Sequence, residues 1–80
     1  MSDNRRVLLD ILTEIRPEHD FANSENFVED GMLDSLDIVT LVVRLEQEFG
    51  ISIDGADIRA ENFRNLASLE TLIERGREGL

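Results

Sequence analysis

"DSLDIVTLVVRLEQEFG", residues 34–50, decides the fold. Leu36, Val39 and Val43 recur along one row and Ile38, Leu41, Val42, Leu45 and Phe49 along another, which is the spacing of an α-helix rather than the alternation of a strand. Asp34 stands where a side-chain oxygen accepts from the unpaired N–H groups of a first turn, and Asp37, three residues on, makes an acidic capping box. Gly50 supplies the stop. The two rows form a stripe so wide that this helix is expected to be central, with neighbours on more than one side. Thr40, Arg44, Gln47 and Glu48 are left for solvent or partners. With Asp34 as the cap, the hydroxyl of Ser35 is free for other work.

Upstream, Val7, Leu8, Ile11, Leu12 and Ile15 predict a first helix from about Asn4 to Arg16, ended by Pro17. Residues 17–33 lack a period. Phe21, Phe27, Met32 and Leu33 are separated apolar residues in polar surroundings, so this stretch is expected to be a long loop pinned to the core at a few points. Downstream, "ISIDG" at 51–55 has no second strand to pair with and is expected to be an extended connector whose Ile51 and Ile53 enter the core. A short helical turn is expected around Asp57 to Glu61. Asn65 then caps a last helix carrying Leu66, Leu69, Leu72 and Ile73, which frays near Gly76 and leaves residues 76–80 as a loose tail. The expected fold is all-α: a small four-helix bundle of three main helices and one short one, in a single domain spanning residues 1–80.

Eighty residues support one modest core and little room for a deep cleft. The chain has no cysteine, so no disulfide or cysteine-based zinc site supplements that core. Its longest apolar run, "LVV" at 41–43, is far too short to span a membrane, and a cytoplasmic, soluble monomer is expected. Eight arginines against eighteen acids give a net charge of −10. That charge repels nucleic acid and anionic lipid and favours partners with basic patches. It is also uneven: residues 17–43 hold seven acids (Glu18, Asp20, Glu25, Glu29, Asp30, Asp34 and Asp37) and no Arg or Lys, and they surround Ser35.

Enzyme readings are weak. A serine hydrolase would have to pair Ser35 with the lone His19, which stands in the acidic loop, and this ranks last. "DGADIRAENF" from Asp54 lacks the ligand ladder of an EF-hand, and no metal site is expected. A phosphate esterified to Ser35 is better supported, because the first turn of a helix presents unpaired N–H groups and the positive end of the macrodipole. Asp34 and Asp37 would oppose that phosphate locally, so they make more sense as handles for a basic modifying enzyme. Met32, Leu33, Leu36 and Ile38 beside the serine suit either a docking rim or ordinary core. For Leu36 the core reading is preferred.

The stretch "DGMLDSLDIVTLVVRLEQEFGISI", residues 30–53, resembles the acyl carrier protein family: Asp-Ser-Leu opens a helix that ends in Glu-x-Glu-Phe-Gly-Ile-x-Ile. The resemblance continues more weakly through "NFRNLASLETLI" at 62–73 and takes in the first helix by length and pattern. It implies a four-helix bundle whose Ser35 receives a 4′-phosphopantetheine arm from coenzyme A through a phosphopantetheinyl transferase, making the chain a non-catalytic phosphoprotein. The arm's thiol would carry acyl groups as thioesters between the enzymes of fatty-acid, lipid or polyketide synthesis. Acyl-activating, condensing or acyltransferase enzymes with basic patches are the implied partners. By position, Asp34, Asp37, Leu36, Met32 and Ile38 would help partners dock, with Glu46 and Glu48 extending the acidic side. Thr40 stands where fatty-acid carriers usually have Glu, Arg44 adds a positive charge, and Asp54 replaces a common Pro. The "GMLDS" approach looks more like that of stand-alone specialised carriers. Two alternatives therefore stand beside the acyl carrier: an aminoacyl carrier of D-alanyl or peptidyl type, and an acidic helical adaptor without a prosthetic group.

Overall fold

A local capping network starts the central segment of the chain, and three α-helices follow from such local rules. The computed structural model describes residues 3–78. Helices α1 (Asp3–Ile15), α2 (Ser35–Phe49) and α3 (Leu66–Glu78) are joined by a long loop and by a connector with short 3-10 turns. Among the described residues there is no strand, and no helix is long and apolar enough to cross a membrane.

At the start of α2, the Asp34 side chain accepts from the Asp37 N–H at 2.9 Å while Asp37 Oδ2 accepts from the Asp34 N–H at 3.1 Å, the reciprocal capping box expected from the sequence. At its end Gly50 is left-handed (φ 62°), where a Cβ would be strained, and its N–H bonds back to the carbonyl of Glu46. Asn65 and Ser68 repeat the arrangement at α3: Asn65 Oδ1 accepts from the Ser68 N–H at 2.8 Å, and Ser68 Oγ accepts from the Asn65 N–H at 3.2 Å.

The core is built from Leu8, Ile11 and Leu12 of α1, Leu41, Val42 and Leu45 of α2, and Leu69, Leu72 and Ile73 of α3. Phe21, Phe27 and Leu33 enter it from the long loop, Ile51 and Ile53 from the connector and Phe63 from the turn before α3. The pinned loop and the plugging connector thus appear as expected.

Four expectations are corrected. First, α2 is not the central helix: α1 packs against both α2 and α3, while α2 and α3 approach each other far less closely. Second, and as a consequence, only one of the two apolar rows on α2 is covered; Leu36, Val39 and Val43 are 73%, 57% and 46% exposed. Third, the short fourth helix is absent. Two single 3-10 turns, Gly55–Asp57 and Ala60–Asn62, take its place, with Ile58 and Arg59 between them. Fourth, α3 does not fray at Gly76 but continues to Glu78; residues 79 and 80 of the expected tail lie outside the described residues.

Gly76 is a contact glycine and not a stop. A Cβ built there would lie 2.9 Å from Ile51 Cβ and 3.0 Å from its Cδ1, so the missing methyl group lets α3 close onto the connector. Helix propensity favours Gly76→Ala by about 1 kcal/mol. Overpacking against a branched Cβ, which cannot swing away, costs about 1–3 kcal/mol. The expected result is a net loss of about 1 kcal/mol, read from the midpoint of urea unfolding; a rise in stability would contradict the close contact.

Candidate functional site

Ser35 is the first residue of α2. It is exposed, and no group among the described residues hydrogen-bonds to its hydroxyl, because Asp34 and Asp37 supply the cap between them. Beside it lies an open cleft of about 310 Å³ lined by Ser35, Ile38, Val39, Ile58, Arg59 and Ala60. An exposed hydroxyl without a partner, at a helix start and next to open space, has both the chemistry and the room to accept a phosphate ester with a long substituent. The serine of this site therefore fits a covalently attached arm.

Beneath the serine, Arg16 gathers the acids. Its Nε donates to Asp37 Oδ2 at 2.8 Å and its Nη2 to Asp34 Oδ2 at 3.3 Å, with Glu18 4.0 Å away. Asp37 is 8% exposed because Arg16 and the cap cover it. Burial alone would push its carboxyl up; the Arg16 hydrogen bond, the bond from the Asp34 N–H and the Arg16 charge together outweigh burial and hold it below the usual carboxylate range. The same contacts, with the Asp37 hydrogen bond foremost, raise the guanidinium of Arg16 further above its already high value. A carboxyl lowered by folding stabilises the native state above its ordinary value and loses that contribution as pH falls from there through the lowered value. Asp37→Asn is thus expected to melt well below the natural chain at pH 7, and the gap should narrow as pH drops from about 5. Thermal melts at the two pH values check this, and a gap that does not change with pH would contradict it.

The other residues singled out from sequence fall into two groups. Asp34, Leu36 and Glu48 are exposed, as are Val39 and Val43. Met32 and Ile38 are half-buried against the core, and Glu46 Oε2 accepts from the Ile53 N–H at 2.9 Å, tying the connector to α2. Asp37 and Glu46 thus hold the fold, and the core reading of Leu36 gives way to exposure. Arg44 adds little charge to the open face because Glu14 of α1 pairs with it at 2.6 Å. His19 stacks edge-on against Phe21, and no hydrogen bond among the described residues links it to Ser35.

Val39, Ile58 and Arg59 line the cleft beside Ser35 and Val43 extends the exposed ridge, and sequence reasoning does not single them out. One signal was available: α2 carries more apolar positions than so small a bundle can cover.

Comparison with known proteins agrees with this geometry. Residues 5–73 match the family described as "Phosphopantetheine attachment site". An acyl carrier protein of Nitratidesulfovibrio vulgaris (strain DP4) is 37% identical over 57 residues, covering 66% of this chain and 67% of that one. An acyl carrier protein of Buchnera aphidicola subsp. Baizongia pistaciae (strain Bp) is 40% identical over 58 residues, 72% of each chain. No solved structure matches. The chain belongs to the acyl carrier protein family, whose members bear a covalently attached 4′-phosphopantetheine.

Proposed function

We propose that Ser35 carries the arm, and that the domain is a cytoplasmic carrier that performs no catalysis itself. The observation that supports this best is the unpartnered, exposed hydroxyl at the first residue of α2, left free because Asp34 provides the cap. When attached, the arm supplies a thiol on which acyl groups travel as thioesters. The protein's own residues hold the start of α2 rigid through Arg16, Asp37 and Asp34, and so present Ser35 in one orientation to a phosphopantetheinyl transferase.

The surface that partners meet is the exposed face of α2. Leu36, Val39 and Val43 form an apolar ridge on it, Asp34 marks its start, and Glu48 lies about 20 Å along the axis from Ser35. We assign docking of the transferase and of acyl-activating, condensing or acyltransferase enzymes to this ridge, with Met32 and Ile38 at its inner edge and basic partner residues facing Asp34 and Glu48. Asp37 and Glu46 contribute by holding the helix in place.

Incubation with coenzyme A, Mg²⁺ and a broad-specificity phosphopantetheinyl transferase tests the reading. The expected result is the mass of one phosphopantetheine, located by peptide fragmentation on Ser35. No added mass would leave the acidic adaptor as the better account, and mass on another residue would move the site.

A further inference from the structure

A phosphodiester on Ser35 places a negative charge among acids, since Asp34 and Asp37 flank it and Asp30 and Glu29 precede it. Two arginines stand near enough to matter. Arg16 is engaged by Asp37, Asp34 and Glu18, so a phosphate would have to compete with three carboxylates for it. Arg59 is differently placed. Among the described residues it is the only cation lining the cleft that opens beside Ser35, between α2 and the two 3-10 turns.

The guanidinium of Arg59 is also partly oriented. Its Nε donates to the Ala56 carbonyl at 3.0 Å, a local bond that fixes where the head group lies. Its Nη1 meets Glu61 at 3.3 Å, but both side chains are about two-thirds exposed, and such a surface pair contributes little. No group among the described residues bonds to its Nη2. Two Nη groups with donors to offer match the oxygens of a phosphate, which a guanidinium binds in a forked geometry that an ammonium cannot copy.

We propose that Arg59 binds the phosphodiester of the arm on Ser35 and thereby draws the arm into the cleft walled by Ile38, Val39, Ile58 and Ala60. This rests on Ser35 being the attachment residue. No sequence pattern points to it, because Arg59 is 24 positions from Ser35 and shares a cleft with it only through the fold.

The test compares the apo and holo domains by NMR, with mass spectrometry on the same samples. On modification of the natural chain, the Nε–H resonance of Arg59 and the amides of Ile58 and Ala60 are expected to shift, while the Nε–H of Arg16 stays in place. The 31P resonance of the holo domain should move when Arg59 is replaced by Ala, and the holo–apo differences at Ile58 and Ala60 should be lost. Arg59→Lys should keep only part of them, because it preserves charge without the fork. Raising salt should weaken the differences in the natural chain, as the pair is exposed. Arg59 is itself exposed and outside the core, so both variants are expected to fold. An arm on Ser35 with unchanged Arg59, Ile58 and Ala60 resonances overturns this proposal alone; a chain that takes no arm on Ser35 overturns it together with the reading beneath it.

Discussion

Ser35→Ala abolishes uptake of phosphopantetheine while the domain stays folded: that is the expected outcome of the simplest substitution. Ser35 lies at the first position of α2 and makes no side-chain hydrogen bond among the described residues, so its removal orphans no buried group. Alanine is the better helix former by about 0.5 kcal/mol, and the capping box of Asp34 and Asp37 is untouched. Other hydroxyls are poor substitutes. Ser24 donates to Asp30, Ser68 to the Asn65 carbonyl, and Thr40 and Thr71 to carbonyls one turn back, at distances of 2.5, 3.0, 3.1 and 3.1 Å. Ser52 is exposed but stands in the connector, away from any helix start. Intact mass after treatment with transferase and coenzyme A, paired with a circular dichroism melt, reads both halves of the prediction. Residual modification would show a second acceptor, and a collapse of the melt would show that Ser35 has a structural task.

Phe27→Ala is expected to have the largest effect on stability. The ring is fully buried, 5.1 Å from that of Phe21 and nearly perpendicular to it. The backbone at the same residue ties three segments: the Phe27 N–H donates to the Arg64 carbonyl at 2.6 Å, and its own carbonyl accepts from Met32 and Leu33 at 2.9 and 3.3 Å. Truncating a buried phenylalanine costs about 3–5 kcal/mol. A domain of this length has about 4–12 kcal/mol in total. The variant should therefore lose a large part of its stability, with a melting temperature lower by about 12 °C or more. Leu36→Ala, on the exposed ridge, should stay within about 0.5 kcal/mol of the natural chain. Equal losses for the two would contradict the division between core and open face.

Features fixed by neighbours in sequence were legible before any coordinates. The capping box at Asp34, the cap at Asn65, the stop at Gly50 and the entry of Ile51 and Ile53 into the core follow from residues within one or two turns of each other. What escaped depends on which surface faces which. Periodicity says that Leu36, Val39 and Val43 share a row, but the same row serves as core or as docking ridge according to whether another helix lies over it. Gly76 reads as the place where α3 frays because glycine ends helices more often than it fills close contacts, and the contact is with Ile51, far away in the chain. Asp37 reads from the sequence as a docking charge because Arg16, which covers it, lies twenty-one residues earlier. The free hydroxyl of Ser35 was legible because it needs only the helix start and a neighbour that caps it.

The apolar ridge of α2 and most of the exposed acids that precede Ser35 in the chain lie on different elements. Uncharged Leu36, Val39, Thr40 and Val43 occupy the helix, while Glu25, Glu29 and Asp30 lie exposed in the loop before it. For an enzyme docking here, long-range charge governs how often the two meet, and desolvated apolar contact governs how long they stay. A carrier must be captured quickly and released after each transfer. With most of the acids in the loop, and with docking at this face as proposed, substitutions in the loop tune the association rate and substitutions on the ridge tune the dwell time, so either is free to change with little effect on the other.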